Sequence, residues 1–180
     1  MSDQRAEQAA ARARLLVAFV GEDEELDHVV AAATEIGRSS GARVILYDRD
    51  AASAFADPMP NWWSAAGEGA QFGDPLSDQD LVKLGREPLA RKVAAARAGG
   101  VDAWGWLASG HGTDKAVGYA REHGADLLLL PEGLDEPGLA DRLKGETVDK
   151  AVEETGERGA GLAVLLVRAD GSVELAAGSP

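Results

Sequence analysis

The sequence predicts a single doubly wound α/β domain, a five-stranded parallel sheet with helices on both faces. Three observations carry this. Short apolar runs stand at Leu15–Val20, Arg43–Tyr47, Val101–Ala108, Leu127–Leu130 and Leu162–Val167. The segments between them have the length of crossover connections, which parallel pairing requires and antiparallel hairpins do not. Within those segments apolar residues recur at helical spacing, so strands alternate with helices.

Leu15–Val20 (LLVAFV) is continuous rather than alternating, as expected of a strand buried on both faces. After the acidic stretch Gly21–Glu25, Leu26, Val29, Val30, Ala33 and Ile36 trace one face of a helix, with Gly37 read as its stop. Arg43–Tyr47 (RVILY) is the second strand. Ser77 is placed to cap a short helix running to Gly85. Pro88 suits the first turn of another helix, with Leu89, Val93 and Ala96 on one face and Gly99-Gly100 as its end. In Val101–Ala108 (VDAWGWLA), Trp104 and Trp106 fall on the same strand face. Thr113 is read as the cap of a helix with Ala116, Val117 and Ala120 as its stripe, ending at Gly124. Leu127–Leu130 is the fourth strand, Leu139, Leu143, Val148, Ala151 and Val152 mark a last helix, and Leu162–Val167 (LAVLLV) is the fifth strand. Asp170-Gly171 signals a tight turn from which Ser172–Leu175 folds back as a short arm.

In domain terms, residues 1–14 read as an N-terminal tail, 15–175 as one domain and 176–180 as a C-terminal tail. The stretch 48–77 reads as an irregular insertion, with Pro58, Pro60, Pro75 and three glycines around the adjacent Trp62 and Trp63. Loops above about 12–15 residues are usually functional or flexible. Trp62 and Trp63 therefore have two readings: packing of the loop onto the domain, or a lid, stacking platform or contact for a protein partner.

Composition narrows the function. The chain has 180 residues, 45% hydrophobic and 27% charged, which suits one globular core. The absence of cysteine excludes disulfides, thiolate metal sites and cysteine nucleophiles. Thirty-one acidic residues against 18 basic ones give a net charge of -13, which repels nucleic acid. The first residues carry no apolar signal core, and no run approaches the roughly 18 apolar residues of a membrane span, so a cytoplasmic protein without nucleic-acid or membrane partners is expected.

The stretches GADLLLL, GLADRLKGETVDKAVE and LAVLLV, between Gly124 and Val167, resemble the fourth strand, glycine-bearing loop, last helix and fifth strand of the universal stress protein family. The resemblance implies strand order 3-2-1-4-5, a homodimer through the last strand, and an adenine nucleotide site in the crevice between strands 1 and 4. The positions it marks as cofactor-binding are Val20, Gly21, Tyr47, Pro131, Gly133, Gly138, Gly145, Glu146 and Thr147.

The sequence departs from the family's ATP pattern in two places. The Asp that commonly closes the first strand is Val20 here, followed by Gly21. In the phosphate loop, G-x2-G-x9-G-[ST], anchoring the last glycine on Gly145 sets Glu132 and Asp135 in the earlier glycine places and Glu146 in that of the Ser or Thr. A glycine in such a loop allows positive φ and close approach of its backbone N–H to phosphate. The reading is therefore a non-catalytic stress or signalling protein with a degenerate nucleotide site. Its rival is binding of ATP with Mg2+ in the same crevice, with Gly133, Gly138, Gly145 and Thr147 around the phosphates.

Charge bears on that choice. Glu22, Asp23, Glu24 and Glu25 from one loop and Glu132, Asp135 and Glu136 from another make the crevice strongly negative, with Arg142 and Lys144 as partial offsets. Two unit charges about 4 Å apart interact by roughly 4 kcal/mol at an effective dielectric of 20. A hard cation such as Mg2+ or Ca2+ would reverse the sign. The plainer account is solvated carboxylates near helix N-termini. His28, His111 and His123 have no arrangement that makes them ligands or bases, and His111, in Ser109–Thr113, reads as part of a flexible loop. No Gly-x-Ser-x-Gly elbow or Walker loop is present.

A final expectation concerns the sheet edge. LAVLLV is too apolar to be left open. Pairing with the same strand of a second copy, a homodimer through Leu162–Val167, would cover it. The rival cover is the Asp170-Gly171 hairpin within one chain.

Overall fold

The computed structural model describes residues 2–21, 24–49, 75–108, 112–133 and 161–176. Its strands are β1 (Leu15–Val20), β2 (Arg43–Asp48), β3 (Ala103–Leu107), β4 (Leu127–Pro131), β5 (Ala163–Val167) and β6 (Val173–Leu175). Its helices are α1 (Ser2–Arg12), α2 (Asp27–Ser40), α3 (Asp78–Lys83), α4 (Glu87–Ala98) and α5 (Thr113–Glu122), with a 3-10 turn at Glu24–Leu26 leading into α2. The sheet order is β3-β2-β1-β4-β5-β6. The first five strands pair in parallel and β6 is antiparallel to β5. The expected order 3-2-1-4-5 is present, but the sheet has six strands, because the arm after Asp170-Gly171 joins it.

Alternation along the strands builds two cores. Leu16, Ala18, Val20, Val44, Leu46, Leu127, Leu129, Leu165 and Val167 pack with α2, α4 and the alanines of α1. Val17, Phe19, Ile45, Tyr47, Leu128, Leu130 and Val164 pack with Ala116, Val117, Tyr119 and Ala120 of α5. All four leucines of β4 are sealed from solvent. Burial of each contributes about 1.5–3 kcal/mol.

Four local expectations are corrected. The segment read as a tail, residues 1–14, contains α1: Ala6, Ala9, Ala10 and Ala13 fall at helical spacing and face the core, a stripe too small in side-chain volume to stand out. Helix α2 runs past Gly37 to Ser40. Gly37 is needed there because a Cβ would come within 2.6 Å of Val44 Cγ2 and 2.8 Å of Val101 Cγ1. The true stop is Gly41, at φ 74, whose N–H donates to the Gly37 carbonyl at 2.9 Å. Thr113 is the first residue of α5 and wholly buried, and the cap position belongs to Gly112. Ala176, assigned to the C-terminal tail, is buried and donates its N–H to the Val164 carbonyl at 2.9 Å.

The Ser77 cap holds. Ser77 Oγ accepts from the Asp80 N–H while the Asp80 carboxylate accepts from the Ser77 N–H, both at 3.2 Å, a reciprocal capping box. Just before it, Leu76 exchanges two 2.8 Å backbone bonds with Gly105 at the outer edge of β3. Trp104 and Trp106 stand half-buried on one face of that strand. The Arg97 guanidinium lies 4.4 Å from the Trp104 ring centroid, and Trp106 packs 4.6 Å from Tyr119.

At the amino end of the sheet, Asp126 ties β1 to β4. Its carboxylate accepts the backbone N–H of Arg14 at 2.8 Å and of Leu15 at 3.1 Å. Burial pushes this carboxyl up, but the two backbone bonds and the Arg14 charge outweigh it and hold it below the ordinary carboxylate range. Its contribution is therefore present above the unfolded value near pH ~3.9 and lost as pH falls through the lower folded value. Asp126→Ala should cost about 2 kcal/mol at neutral pH. Urea midpoints measured from pH 7 down to pH 2 should show the gap between variant and parent closing below about pH 4.

Candidate functional site

In an open parallel sheet the crevice for a ligand lies beyond the carboxyl ends of the strands, where the order reverses. Here that point lies between β1 and β4, whose register Leu16–Leu127, Val17–Leu128 and Ala18–Leu129 brings Val20 and Pro131 to the same end. Of the positions marked in the sequence, Val20, Gly21, Tyr47, Pro131 and Gly133 are described. Gly138, Gly145, Glu146 and Thr147 lie outside the described residues, as do Glu22, Asp23, Asp135, Glu136, His111, Trp62 and Trp63.

Of the five described positions, Val20 and Tyr47 face opposite sides of the sheet. The Val20 side chain is fully buried in the core beneath α2 and α4. Tyr47 points to the opposite face, its ring stacked 6.2 Å from Phe19 and tilted 5.6 Å from Tyr119. Gly21 is buried, and its carbonyl accepts a 2.9 Å bond from Lys92 Nζ. Pro131 is buried beside Val167 in the ladder. Gly133 turns the chain with φ 84, the positive value that a close backbone approach requires.

Among the described residues, Arg168 and Lys92 each pair with acids at this end of the sheet. Arg168, at the end of β5, donates to Glu132 Oε1 at 3.1 Å and pairs with Glu174 of β6. The bond to Glu132, with the charges of Glu132 and Glu174, raises the guanidinium above its already high value. Lys92 is nearly buried and lies 2.8 Å from Asp27 Oδ1 at the start of α2, so one cation bridges the end of β1 and the next helix. Among the described residues no cluster of three or more His, Asp or Glu side chains forms a metal site.

The residues that sequence reasoning missed are Asp48, Arg49 and Arg86. Asp48 ends β2 fully buried and pairs with the Arg86 guanidinium, which is 9% exposed and precedes α4. Arg49, also buried, donates its backbone N–H to the Val20 carbonyl at 3.1 Å. The signal was the polar Asp48-Arg49 placed directly after RVILY, which read as the start of the insertion. A partner 38 residues away carries no local pattern.

The remaining histidines have structural settings. His123 stacks 4.1 Å from Tyr119, with Nδ1 2.9 Å from the Tyr119 carbonyl, and His28 stands half-buried on α2. A groove of about 580 Å3 runs between α2 and α4, with Glu24, Thr34, Arg38 and Arg91 along it. None of its lining residues comes from β4 or the turn after it.

No family model and no curated protein matches the chain. Solved structures similar to it include two universal stress proteins. One, a universal stress protein in complex with cAMP, is 19% identical, with a TM-score of 0.48 over 87% of this chain and 97% of that one. The other, from Archaeoglobus fulgidus, is 18% identical, with a TM-score of 0.43 over 72% of this chain and 84% of that one. The chain's own strand order, β3-β2-β1-β4-β5-β6, is that of a doubly wound sheet with one added antiparallel strand.

Breaking a buried ion pair from one side leaves an unpaired charge and costs about 3–5 kcal/mol. Asp48→Ala and Arg86→Met should each lower the free energy of unfolding by that amount in chemical denaturation. The double variant should lose much less than the sum of the two.

Proposed function

We propose that this chain is a non-catalytic protein of universal stress type, in a stress or signalling role, whose crevice between β1 and β4 does not hold adenine nucleotide in the family's manner. The observation that carries this reading is the end of β1. Val20 offers no polar atom from its side chain and is buried in the core, and the next carbonyl, that of Gly21, already accepts from Lys92. Asp48, which stands opposite Val20 in the β1–β2 register, is engaged by Arg86 within the protein. A base or ribose entering at this point meets no free side-chain acceptor from these three residues.

The non-catalytic part of this reading draws on the setting of the described histidines. Among the described histidines, His123 stacks on Tyr119 with Nδ1 near the Tyr119 backbone carbonyl, and His28 is half-buried on α2, settings that suit packing. No described helix is long and apolar enough to cross a membrane.

A second reading, an adenine nucleotide or Mg2+-ATP in the same crevice, is favoured by one observation. Arg168 offsets Glu132, so the acid beside the positive-φ turn at Gly133 is not an uncompensated charge facing a phosphate. Calorimetric titration of the nucleotide-stripped protein with ATP, with and without Mg2+, at near-physiological salt separates the two. The leading reading predicts no heat of binding at ligand concentrations up to about 1 mM, where an affinity worth only about 4 kcal/mol would register. Micromolar binding in either condition transfers the assignment to the second.

A further inference from the structure

The outer edge of β5 is closed by the chain itself. β6 pairs Leu165 with Leu175, Leu166 with Glu174 and Val167 with Val173, and the ladder is extended by Arg168 N–H to the Ser172 carbonyl and Ala176 N–H to the Val164 carbonyl, each at 2.9 Å. We propose that β6, braced by α1, is an intramolecular strap that bars β5 from pairing with a second copy of this chain, so that this chain is a monomer.

Three features make the strap self-sufficient. Its turn is built locally: Gly171 stands at φ 84, its N–H donates to the Arg168 carbonyl at 2.8 Å, and the Asp170 carboxylate accepts from Ser172 N–H at 2.9 Å and Ser172 Oγ at 2.6 Å. Arg168 pairs with Glu174 across the arm and holds Glu132 beyond β4, so strap and sheet are tied by side chains as well. Helix α1 packs against β6, with Ala6 and Ala13 buried. The new outer edge is only the three residues of β6, too short a template for stable strand addition.

Magnitude decides between strap and partner. A segment joined by a short connection has an effective concentration of order millimolar, so at micromolar protein the strap outcompetes an equivalent strand of a second chain by about a thousandfold. Of the two covers expected for Leu162–Val167, a second copy or the Asp170-Gly171 hairpin, the ladder favours the hairpin.

The test is light scattering on the full chain and three variants. The parent at about 10 μM should give a single-chain mass of 18.7 kDa. Glu174→Pro cannot donate to the ladder and loses the carboxylate on Arg168. Gly171→Val strains the turn without touching the core, since no atom lies within 4 Å of the added Cβ. Both should move towards twice the mass at concentrations where the parent does not. Val167→Cys with Val173→Cys, in a chain that has no other cysteine, should lock the strap on oxidation and hold the mass at one chain up to about 1 mM. Two outcomes overturn the proposal: a two-chain mass in the parent that survives the oxidised lock, or a folded Gly171→Val or Glu174→Pro whose β5 amides exchange freely while its mass stays at one chain. Should Glu174→Pro fail to fold, Gly171→Val decides.

Discussion

Strand β1 is sealed on both faces from Leu16 to Val20 and hydrogen-bonded on both sides, to β2 and to β4. A strand so placed requires helices above and below it, and parallel neighbours that can be reached only by crossovers. The reversal of strand order between β2-β1 and β1-β4 follows, and with it the position of the crevice. The same burial limits what β1 can contribute there. Its last side chain, Val20, belongs to the core, and the chain beyond it is held by Lys92 through the Gly21 carbonyl.

The carboxyl end of the sheet is organised around pairs that cross between elements. Asp48 with Arg86 joins β2 to α4, Lys92 joins α4 to the end of β1 and to Asp27 of α2, and Arg168 joins β5 to the turn after β4 and to β6. These pairs differ in weight. Asp48–Arg86 is buried, so its partners depend on one another, whereas Arg168 and its two acids remain about half exposed and are screened by solvent.

Much of the fold was legible because it is written in local periodicity. LLVAFV gave β1 to the residue, and Ser77 and Pro88 placed the starts of α3 and α4. The failures share a physical cause. Helix α1 is built on alanines whose small volume mimics a polar tail, and Gly37 looked like a stop when it is a close approach to Val44 and Val101. The site was less legible than the fold. Tyr47, marked as a binding position, packs in the second core, because the pleat sends it away from the face that holds Val20. Asp48–Arg86 and Arg168–Glu132 join residues distant in sequence, which no pattern of spacing reveals.

The central claim is that the end of β1 is closed to adenine nucleotide by an apolar side chain and by charges already paired within the protein. Native mass spectrometry of the protein, freshly purified without a stripping step, tests it most directly. The account predicts the mass of the bare 18.7 kDa chain alone. A co-purifying adenine nucleotide, released on denaturation and retained by Val20→Ala but lost in Gly133→Val, would contradict it.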